Sequence, residues 1–355
     1  MPQHLSDSTA HTTTHATAAD IAACRELLRC GSRSFYAASF LLPTRFRDPA
    51  MALYAFCRIA DDAIDCVGDD PQLQAEALAM LNDRLDRLYA GTPIDDPIDR
   101  ALADVVREFA LPKRLLEALF EGFEWDSQGR RYEDLSGVYA YSARVAGTVG
   151  AMMAALMGAR SEELVARACD LGVAMQITNI CRDVGEDARN GRIYLPLSWL
   201  REAGVDPDEW LKNPVFNDVI ASVVRRLLQT ADELYQRSDA GIAGLPFGCR
   251  AGINAARYLY AEIGRQVERQ GLDSISQRAV VPAPRKLQLL APILGRAVLS
   301  ARPVAAPALE ETRFLVEAVV AETPPRAPSG MGERVLWVLE LFEQLEEREH
   351  ALTMR

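Results

Sequence analysis

The sequence predicts an all-α protein. Apolar residues recur at the period of an α-helix along most of the chain, which is typical of helices that bury one face. Segments that alternate strictly between apolar and polar residues, the pattern of a half-buried strand, are missing. Stretches such as "GTPIDDP", "REAGVDPDEW" and "GLPFG" interrupt the helical pattern and predict the connections between helices.

Helix-period segments of ordinary globular length lie between these connections. The longest uncharged run, residues 145–159, is shorter than the roughly 20 residues that span a bilayer, so it is predicted to be a buried helix. The predicted helices cover residues 20–31, 49–66, 71–90, 97–110, 112–126, 135–158, 161–184, 217–239, 249–270 and 284–300.

The chain divides by composition into three parts. Residues 1–20 are rich in Thr, Ala, Ser and His, lack a signal-like apolar stretch, and are predicted to form a disordered tail. Residues 21–300 carry the helical pattern. Residues 301–355 are predicted to be a Pro-rich connector around one short helical segment, followed by the amphipathic helix "ERVLWVLELFEQLEEREH". That last helix either packs back on the body or contacts a partner or a membrane.

Composition excludes several classes of function. A formal net charge of -11 argues against a nucleic-acid binder, which needs a basic face, although it leaves a local anion site open. Seven cysteines without a CxxC pair indicate a reducing compartment. A histidine triad or zinc site is not expected, because the histidines lie near the two ends of the chain, at His4, His11, His15 and His350.

The segment "YAFCRIADDAID" places carboxylates on a helix that begins apolar. At about 100° per residue, Tyr54, Arg58, Asp61 and Asp65 fall within one narrow arc, with Asp62 beside it. Taken alone, this DxxxD stripe also fits an exposed acidic helix face with a local Arg-Asp pair.

The same spacing returns in "AMQITNICRDVGEDARNGRIYLP". Again the run begins apolar and ends charged, and again an arginine accompanies the acids. The residues that share or flank this second arc are Gln176, Asn179, Arg182, Asp183, Glu186 and Asp187.

Two carboxylate pairs that face one cavity repel each other unless cations lie between them. Mg²⁺ is the natural candidate, because it takes hard oxygen ligands and completes its octahedron with waters and phosphate oxygens. Arg58 and Arg182 suit bidentate contacts with phosphate better than metal binding. The stripes therefore predict metal ions that bind a diphosphate, and an allylic diphosphate is a substrate whose ionisation such a site promotes.

A carbocation formed at such a site must be protected from water, and "YSARVAGTVGAMMAALMG" suits that need. Its small apolar residues fit a channel for a hydrocarbon tail, and they fit close helix packing equally well. The residues in question are Val145, Gly147, Gly150, Ala151 and Ala154.

Together these motifs resemble the squalene/phytoene synthase family. The resemblance extends from about residue 24 to residue 290 and depends on "GSRSFYAASFLLP", "ALYAFCRIADDAID", "YSARVAGTVG", "QITNICRDVGEDARNGRIYLP" and the late "RKLQLL". Several motifs in the right order are far more specific than either acidic pair alone. The resemblance implies a single-domain isoprenoid-synthase bundle of α-helices around a central apolar cavity, with the two aspartate motifs facing each other across its mouth.

The resemblance also implies which residues form the site. The implied metal ligands are Asp61, Asp62, Asp65, Asp183, Glu186 and Asp187. The implied substrate contacts are Ser32, Arg33, Phe35, Arg58, Val145, Gly147, Val149, Gln176, Asn179, Arg182 and Arg192. Tyr54 and Tyr141 are expected beside the cation path, where their faces stabilise positive charge and their oxygens assist proton removal. Either one fits a core tyrosine equally well.

The implied reaction is the head-to-head condensation of two molecules of geranylgeranyl diphosphate. One molecule ionises, the double bond of the second attacks the cation to give prephytoene diphosphate, and a second ionisation, rearrangement and proton loss give phytoene. The implied cofactor is Mg²⁺ or Mn²⁺, with several ions per site. NADPH is not expected, because phytoene formation needs no hydride, and the sequence has no GxGxxG after a strand.

Two alternatives remain open at this point. A relative that uses farnesyl diphosphate to make presqualene diphosphate, squalene or dehydrosqualene would carry the same metal motifs. The small residues Ala37, Ala38, Ser39 and Ala50, with Met51, favour longer hydrocarbon tails. A non-enzymatic scaffold relative at a membrane would have eroded acidic motifs, whereas both motifs are intact here.

A lipidic substrate and an insoluble product predict a cytoplasmic protein that associates peripherally with the inner membrane. The expected partners are the two substrate molecules, the membrane surface and other carotenoid-forming enzymes.

Overall fold

The computed structural model describes residues 15–68, 70–286, 288–289 and 306–322, without the side chains of residues 33 and 34. Within these ranges the chain contains helices, turns and no strand, which confirms the all-α prediction. Residues up to Ala321 form one compact unit, and Glu322 begins a second unit that otherwise lies outside the described ranges. None of the described helices is long and apolar enough to cross a membrane.

The helices follow one another with short connections. The first eight are α1 Ala18–Gly31, α2 Arg33–Ser39, α3 Thr44–Asp65, α4 Pro71–Tyr89, α5 Pro97–Phe109, α6 Lys113–Ser127, α7 Leu135–Ser142 and α8 Thr148–Leu156, with the π-helical turn Ala143–Gly147 between the last two. The remaining ones are α9 Glu162–Arg189, α10 Leu197–Glu202, α11 Pro207–Lys212, α12 Asp218–Gly244, α13 Phe247–Arg269 and α14 Arg313–Ala321.

The first helix begins earlier than predicted. Thr17 and Asp20 form a reciprocal capping box that starts α1 at Ala18, so the last residues of the predicted disordered tail are helical. The buried carboxylate of Asp20 also accepts a hydrogen bond of 2.6 Å from Arg100 on α5. This link fixes the start of α1 to the body of the protein.

Three short helices, α2, α10 and α11, are not predicted by the periodicity. They are too short to show one, but two of them carry a capping signal. Ser32 accepts a hydrogen bond from the backbone N–H of Phe35 at the start of α2, and Asp206 caps α11 in front of Pro207. Helix α3 also begins before its predicted start at residue 49. It starts at Thr44, so five helical residues precede Pro49.

Helix α9 is central and packs against α8, α12, α13 and α14. Its contact with α8 is a close approach of two backbones. A Cβ on Gly150 would lie 2.1 Å from the carbonyl oxygen of Ala168, and a Cβ on Gly172 would lie 2.2 Å from that of Ala146. Only glycine permits this crossing. The predicted single helix over residues 135–158 is interrupted at the same place by the π turn.

Part of the predicted C-terminal connector packs on the helical body. Leu315 and Val319 of α14 are fully buried, and α14 contacts α6, α8 and α9. Residues 306–321 therefore belong to the same compact unit as the predicted domain 21–300. The predicted amphipathic helix near the C-terminus lies outside the described residues. The predicted helix 284–300 is described only at residues 284–286 and 288–289, which are helical.

Candidate active site

An apolar cavity of about 330 Å³ lies inside the bundle, between α2, α3, the π turn with α8, α9, α12 and α13. On α3 its wall includes Ala50, Tyr54 and Cys57, and on α9 it extends from Leu164 to Asn179. Because these residues recur at helical spacing, the cavity runs lengthwise along both helices toward their C-terminal ends.

The two acidic segments begin one helical turn beyond this wall. Asp61 follows Cys57 by four residues, and Asp183 follows Asn179 by four residues, so each aspartate shares a helix face with a cavity-lining residue. Both segments therefore lie at the same end of the cavity. We call this the acidic end.

In the first acidic segment, Arg58 binds the carboxylates that follow it on α3. Its guanidinium lies 2.6 Å from a carboxylate oxygen of Asp62 and 3.5 Å from one of Asp61. Burial, followed by repulsion from Asp65, raises the pKa of Asp61 to about 6. One nearby arginine thus leaves the negative charge of this segment incompletely compensated.

In the second acidic segment, arginines of the described residues form ion pairs with Asp183 and Glu186 but not with Asp187. Burial raises the pKa of Asp183, but hydrogen bonds from Arg182 and Arg278 outweigh it, so the net shift is downward. Arg278 also lies 3.5 Å from Glu186. Burial, followed by repulsion from Asp183 and Glu186, raises the pKa of Asp187 to about 7.

Asp126, at the end of α6, joins the two segments and is not predicted by the sequence patterns. It interacts electrostatically with Asp61 and Asp65 on one side and with Asp187 on the other. Burial raises its pKa, although it accepts hydrogen bonds of 2.7 Å from Tyr141 and Tyr194. The two acidic segments therefore share one electrostatic neighbourhood and do not point apart into solvent.

Tyr141 lies beneath Asp126 and outside the cavity wall. It is buried in a stack with Tyr132 and Tyr194, with ring centroids 5.3 Å and 5.0 Å away. Burial, followed by the charge of Asp126, raises the pKa of Tyr141 well above its usual value, so this hydroxyl keeps its proton. Arg192 interacts electrostatically with Asp126 and with the first acidic segment, which places it at the acidic end.

Most of the predicted hydrocarbon contacts line the cavity. Phe35 stacks on Tyr260, with ring centroids 5.2 Å apart, and both rings form part of the wall. Asn179 donates a hydrogen bond of 3.3 Å to Gln176. The other predicted residues found in the wall are Ala38, Ser39, Ala50, Tyr54, Val145, Val149 and Gly150.

Gly147 is placed differently from the prediction. Its α-carbon faces Leu315 of α14 and Val173 of α9, so it supports close packing on the side away from the cavity. Ala146 occupies the cavity wall instead.

Of the two predicted substrate contacts that precede Phe35, Ser32 and Arg33, only Ser32 has a described side chain. The hydroxyl of Ser32 accepts a hydrogen bond of 3.3 Å from the backbone N–H of Phe35, which caps α2. The side chain of Arg33 lies outside the described residues.

The acidic end fits divalent cations in its chemistry. Its donors are carboxylate oxygens, the ligands that Mg²⁺ and Mn²⁺ prefer. Burial first, and repulsion from neighbouring carboxylates second, raise the pKa values of Asp61 and Asp187, and a bound cation would favour the charged form of both groups. In the arrangement described, no three acidic, histidine or cysteine side chains of the described residues converge tightly enough to hold an ion. Arginines occupy several of these carboxylates instead, at Asp61, Asp62 and Asp183.

Comparison with known proteins identifies the family. A family model described as squalene/phytoene synthase matches residues 28–285. The chain is 51% identical over 337 residues to the phytoene synthase of Cereibacter sphaeroides, covering 92% of this chain and 94% of that protein. It is 55% identical over 273 residues to the phytoene synthase of Rhodobacter capsulatus, covering 77% and 80%.

Solved structures show the same fold. A dehydrosqualene synthase in complex with a ligand matches with a TM-score of 0.70 and 32% identity, covering 78% of this chain and 96% of that chain. A squalene synthase from Alicyclobacillus acidocaldarius matches with a TM-score of 0.66 and 24% identity, covering 71% and 94%. These similarities confirm the predicted isoprenoid-synthase fold. The chain therefore belongs to the squalene/phytoene synthase family.

Proposed function

We propose that this chain is a phytoene synthase, which condenses two molecules of geranylgeranyl diphosphate head to head in carotenoid biosynthesis. The observation that carries the proposal is a single apolar cavity between α3 and α9 with the acidic segments of both helices at one end. The relatives named phytoene synthase, at 51% and 55% identity, support the choice of product.

The acidic end is proposed to bind the diphosphate groups through cations. The carboxylates of both segments and Asp126 would hold Mg²⁺ or Mn²⁺ ions, which when bound would supply positive charge to stabilise a departing diphosphate. Arg58, Arg182 and Arg278 lie among these carboxylates and suit bidentate contacts with phosphate oxygens. Arg192 adds a fourth guanidinium at the same end.

The cavity is proposed to hold the hydrocarbon tails and to exclude water. Phe35, Tyr54 and Tyr260 form aromatic wall between the acidic end and the apolar remainder, where their faces can stabilise a carbocation. Binding both chains in one cavity supplies the orientation that joins their reacting carbons. Tyr141 is proposed to act through Asp126, because its hydroxyl donates to that carboxylate and does not reach the wall.

A product assay tests the proposal. Purified full-length protein is incubated with Mg²⁺ or Mn²⁺ and with either geranylgeranyl or farnesyl diphosphate, and the hydrocarbon is identified by mass and chromatography. We expect phytoene from the twenty-carbon substrate without NADPH. A product formed only from the fifteen-carbon substrate would refute the proposal and would favour dehydrosqualene or squalene synthesis.

Substitutions test the proposed metal ligands. Asp61→Asn and Asp183→Asn should each lower kcat at least about a hundredfold, because each removes a charge that binds cations. Asp86→Asn is a matched control, since this exposed aspartate on α4 pairs only with Lys113 among the described residues. Full turnover in either acidic-end variant contradicts the assignment. A wild-type protein that folds, stays inactive and binds other proteins would favour the scaffold alternative.

We also propose that the protein works in the cytoplasm at the surface of the inner membrane, because its substrate and product are both lipidic.

A further inference from the structure

The end of the cavity opposite the acidic end is closed by two chain segments. The loop of residues 40–43 packs against the first turns of α13, where a Cβ on Gly252 would lie 2.7 Å from Cδ2 of Leu42 and one on Gly248 would lie 3.0 Å from Cγ of Pro43. Leu42 and Gly252 both line the cavity, as does Leu245 just before α13. These segments therefore form the far wall of the cavity.

The far wall is well separated from the carboxylates. On α3, Arg45 precedes Asp61 by 16 residues, which corresponds to about 24 Å along the helix. On α13, Phe247 precedes Tyr260 by 13 residues, about 20 Å, and Tyr260 interacts electrostatically with Asp183. A diphosphate bound at the acidic end would thus extend its tail toward the far wall.

The outer face of the far wall exposes two phenylalanines. Phe40 is 53% exposed and Phe247 is 66% exposed, and among the described residues no other phenylalanine, tyrosine or tryptophan is mostly exposed. Their segments are in contact, because residue 43 packs on residue 248. Two large apolar side chains exposed to water on segments that contact each other indicate an interaction surface.

Arginines surround these rings. The guanidinium of Arg47 lies 5.4 Å from the ring centre of Phe40, and that of Arg250 lies 5.9 Å from the ring centre of Phe247. Arg45 is exposed at the start of α3, and neither it nor Arg250 forms an ion pair with any described residue. On a chain with a net charge of -11, this is a locally basic face.

We infer that this aromatic-basic surface, formed by Phe40, Phe247, Arg45, Arg47 and Arg250, docks on an anionic lipid bilayer. Phenylalanine rings enter the boundary between headgroups and acyl chains, and arginines bind the lipid phosphates. Of the three arginines only Arg47 forms an ion pair with an acid of the described residues, Asp48 at 3.8 Å, so the guanidiniums of Arg45 and Arg250 remain available to phosphates. A protein anion of this overall charge would be repelled by such a membrane at most other faces.

The position of the surface relative to the cavity suits a lipidic substrate, and this step rests on the proposed function. The hydrocarbon tails point toward the far wall, while the diphosphates remain at the acidic end. Docking by the far wall would place the tail end of the cavity next to the bilayer that supplies the lipidic substrate and takes up the lipidic product. The acidic end would face the aqueous phase, where the diphosphate is released.

Vesicle flotation tests this inference with the full-length protein and without substrate. The vesicles contain phosphatidylcholine alone or phosphatidylcholine with phosphatidylglycerol. We expect binding only to the anionic vesicles, weakened by added salt. The double variant Phe40→Ser/Phe247→Ser should reduce the bound fraction about tenfold, and Arg45→Gln about fivefold. The control Met80→Ser/Val215→Ser, which changes two side chains that are each 50% exposed, should float like the wild type.

Three results would overturn the inference. The first is unchanged flotation of both surface variants in folded form, as judged by circular dichroism; Arg45→Gln serves if the double variant does not fold. The second is an equal loss in the control. The third is unchanged flotation together with a loss of self-association in sedimentation, which would make the surface an interface between two copies. Turnover in detergent is measured separately, so an inactive protein that still docks through this surface would refute only the proposed function.

Discussion

Replacing Gly172 with alanine tests whether the crossing of α8 and α9 sets the shape of the cavity. A Cβ at this position would lie 2.2 Å from the carbonyl oxygen of Ala146 and 2.6 Å from its carbonyl carbon. Both are backbone atoms, so no side-chain rotation relieves the contact. Gly172 and Ala146 both line the cavity, and any separation of the two segments therefore changes its wall.

The size of the effect follows from these distances. Real Cβ atoms essentially never come within 3.0 Å of a heavy atom, so the two segments must move apart by roughly 1 Å. Overpacking of this kind costs about 1–3 kcal/mol, and the better helix propensity of alanine offsets about 1 kcal/mol of it. A 1 Å displacement of groups that position a substrate can lower turnover about a hundredfold. We therefore expect a large loss of activity with a small loss of stability.

The assay combines turnover on geranylgeranyl diphosphate with thermal unfolding of the same preparation. Gly264→Ala on α13 is the matched control, because its Cβ would meet only the movable Cδ2 of Leu228, at 3.1 Å, and a methyl of Thr178, at 3.9 Å. The control should keep its turnover within about twofold. Wild-type turnover in Gly172→Ala, or an equal loss in the control, would refute the reasoning.

Three further predictions follow from buried contacts. Leu315→Ala should lower the free energy of unfolding by about 2–5 kcal/mol, measured by urea denaturation, because this side chain is fully buried; an unchanged midpoint would contradict the packing of α14. Tyr141→Phe removes a hydrogen bond of 2.7 Å to Asp126 and should lower kcat at least about tenfold with little change in KM; unchanged kcat would separate the tyrosine from the reaction. A hydrogen bond from Arg100 lowers the pKa of Asp20 from 3.8 to about 2, so this carboxylate contributes about 2 kcal/mol above pH 4 that is lost between about pH 4 and pH 2. The free energy of unfolding of Asp20→Asn should lack that part of the pH dependence when it is compared at pH 7 and pH 3. Identical pH profiles of the variant and the wild type would contradict this role of Asp20.

The helical period predicted the features that depend on one helix. Asp61 and Asp183 each continue a face whose earlier residues line the cavity, and this follows from about 100° per residue alone. The same rule does not decide the position of Gly147, which lies about 200° from Val145 but only about 60° from Gly150, and both of these residues line the cavity. The small size of Gly147 does not distinguish the cavity side of a helix from the packed side.

The features that depend on several helices could not be predicted in this way. Asp126 lies near the polar C-terminal end of a helix and belongs to no DxxxD motif. In the sequence it therefore has the features of a solvated acid. Its environment is created by Tyr141 and Tyr194, which are 15 and 68 residues away in the chain. Likewise Arg278 reaches Asp183 across 95 residues from a segment without helical periodicity. Only the tertiary fold brings these side chains together.

The charges of the acidic end explain why the proposed substrate needs cations there. The described side chains of this end comprise seven carboxylates and four guanidiniums, so the formal charge is 4 − 7 = −3. The carboxylates are those of Asp61, Asp62, Asp65, Asp126, Asp183, Glu186 and Asp187, and the guanidiniums are those of Arg58, Arg182, Arg192 and Arg278. A diphosphate group adds a charge of about −3 near neutral pH. Without added positive charge the site would repel this anion, and repulsion between carboxylates already contributes, after burial, to the upward shifts of the pKa values of Asp61 and Asp187. Several divalent ions would reverse the balance, and the arginines that now hold the carboxylates would then be free to bind the phosphate oxygens.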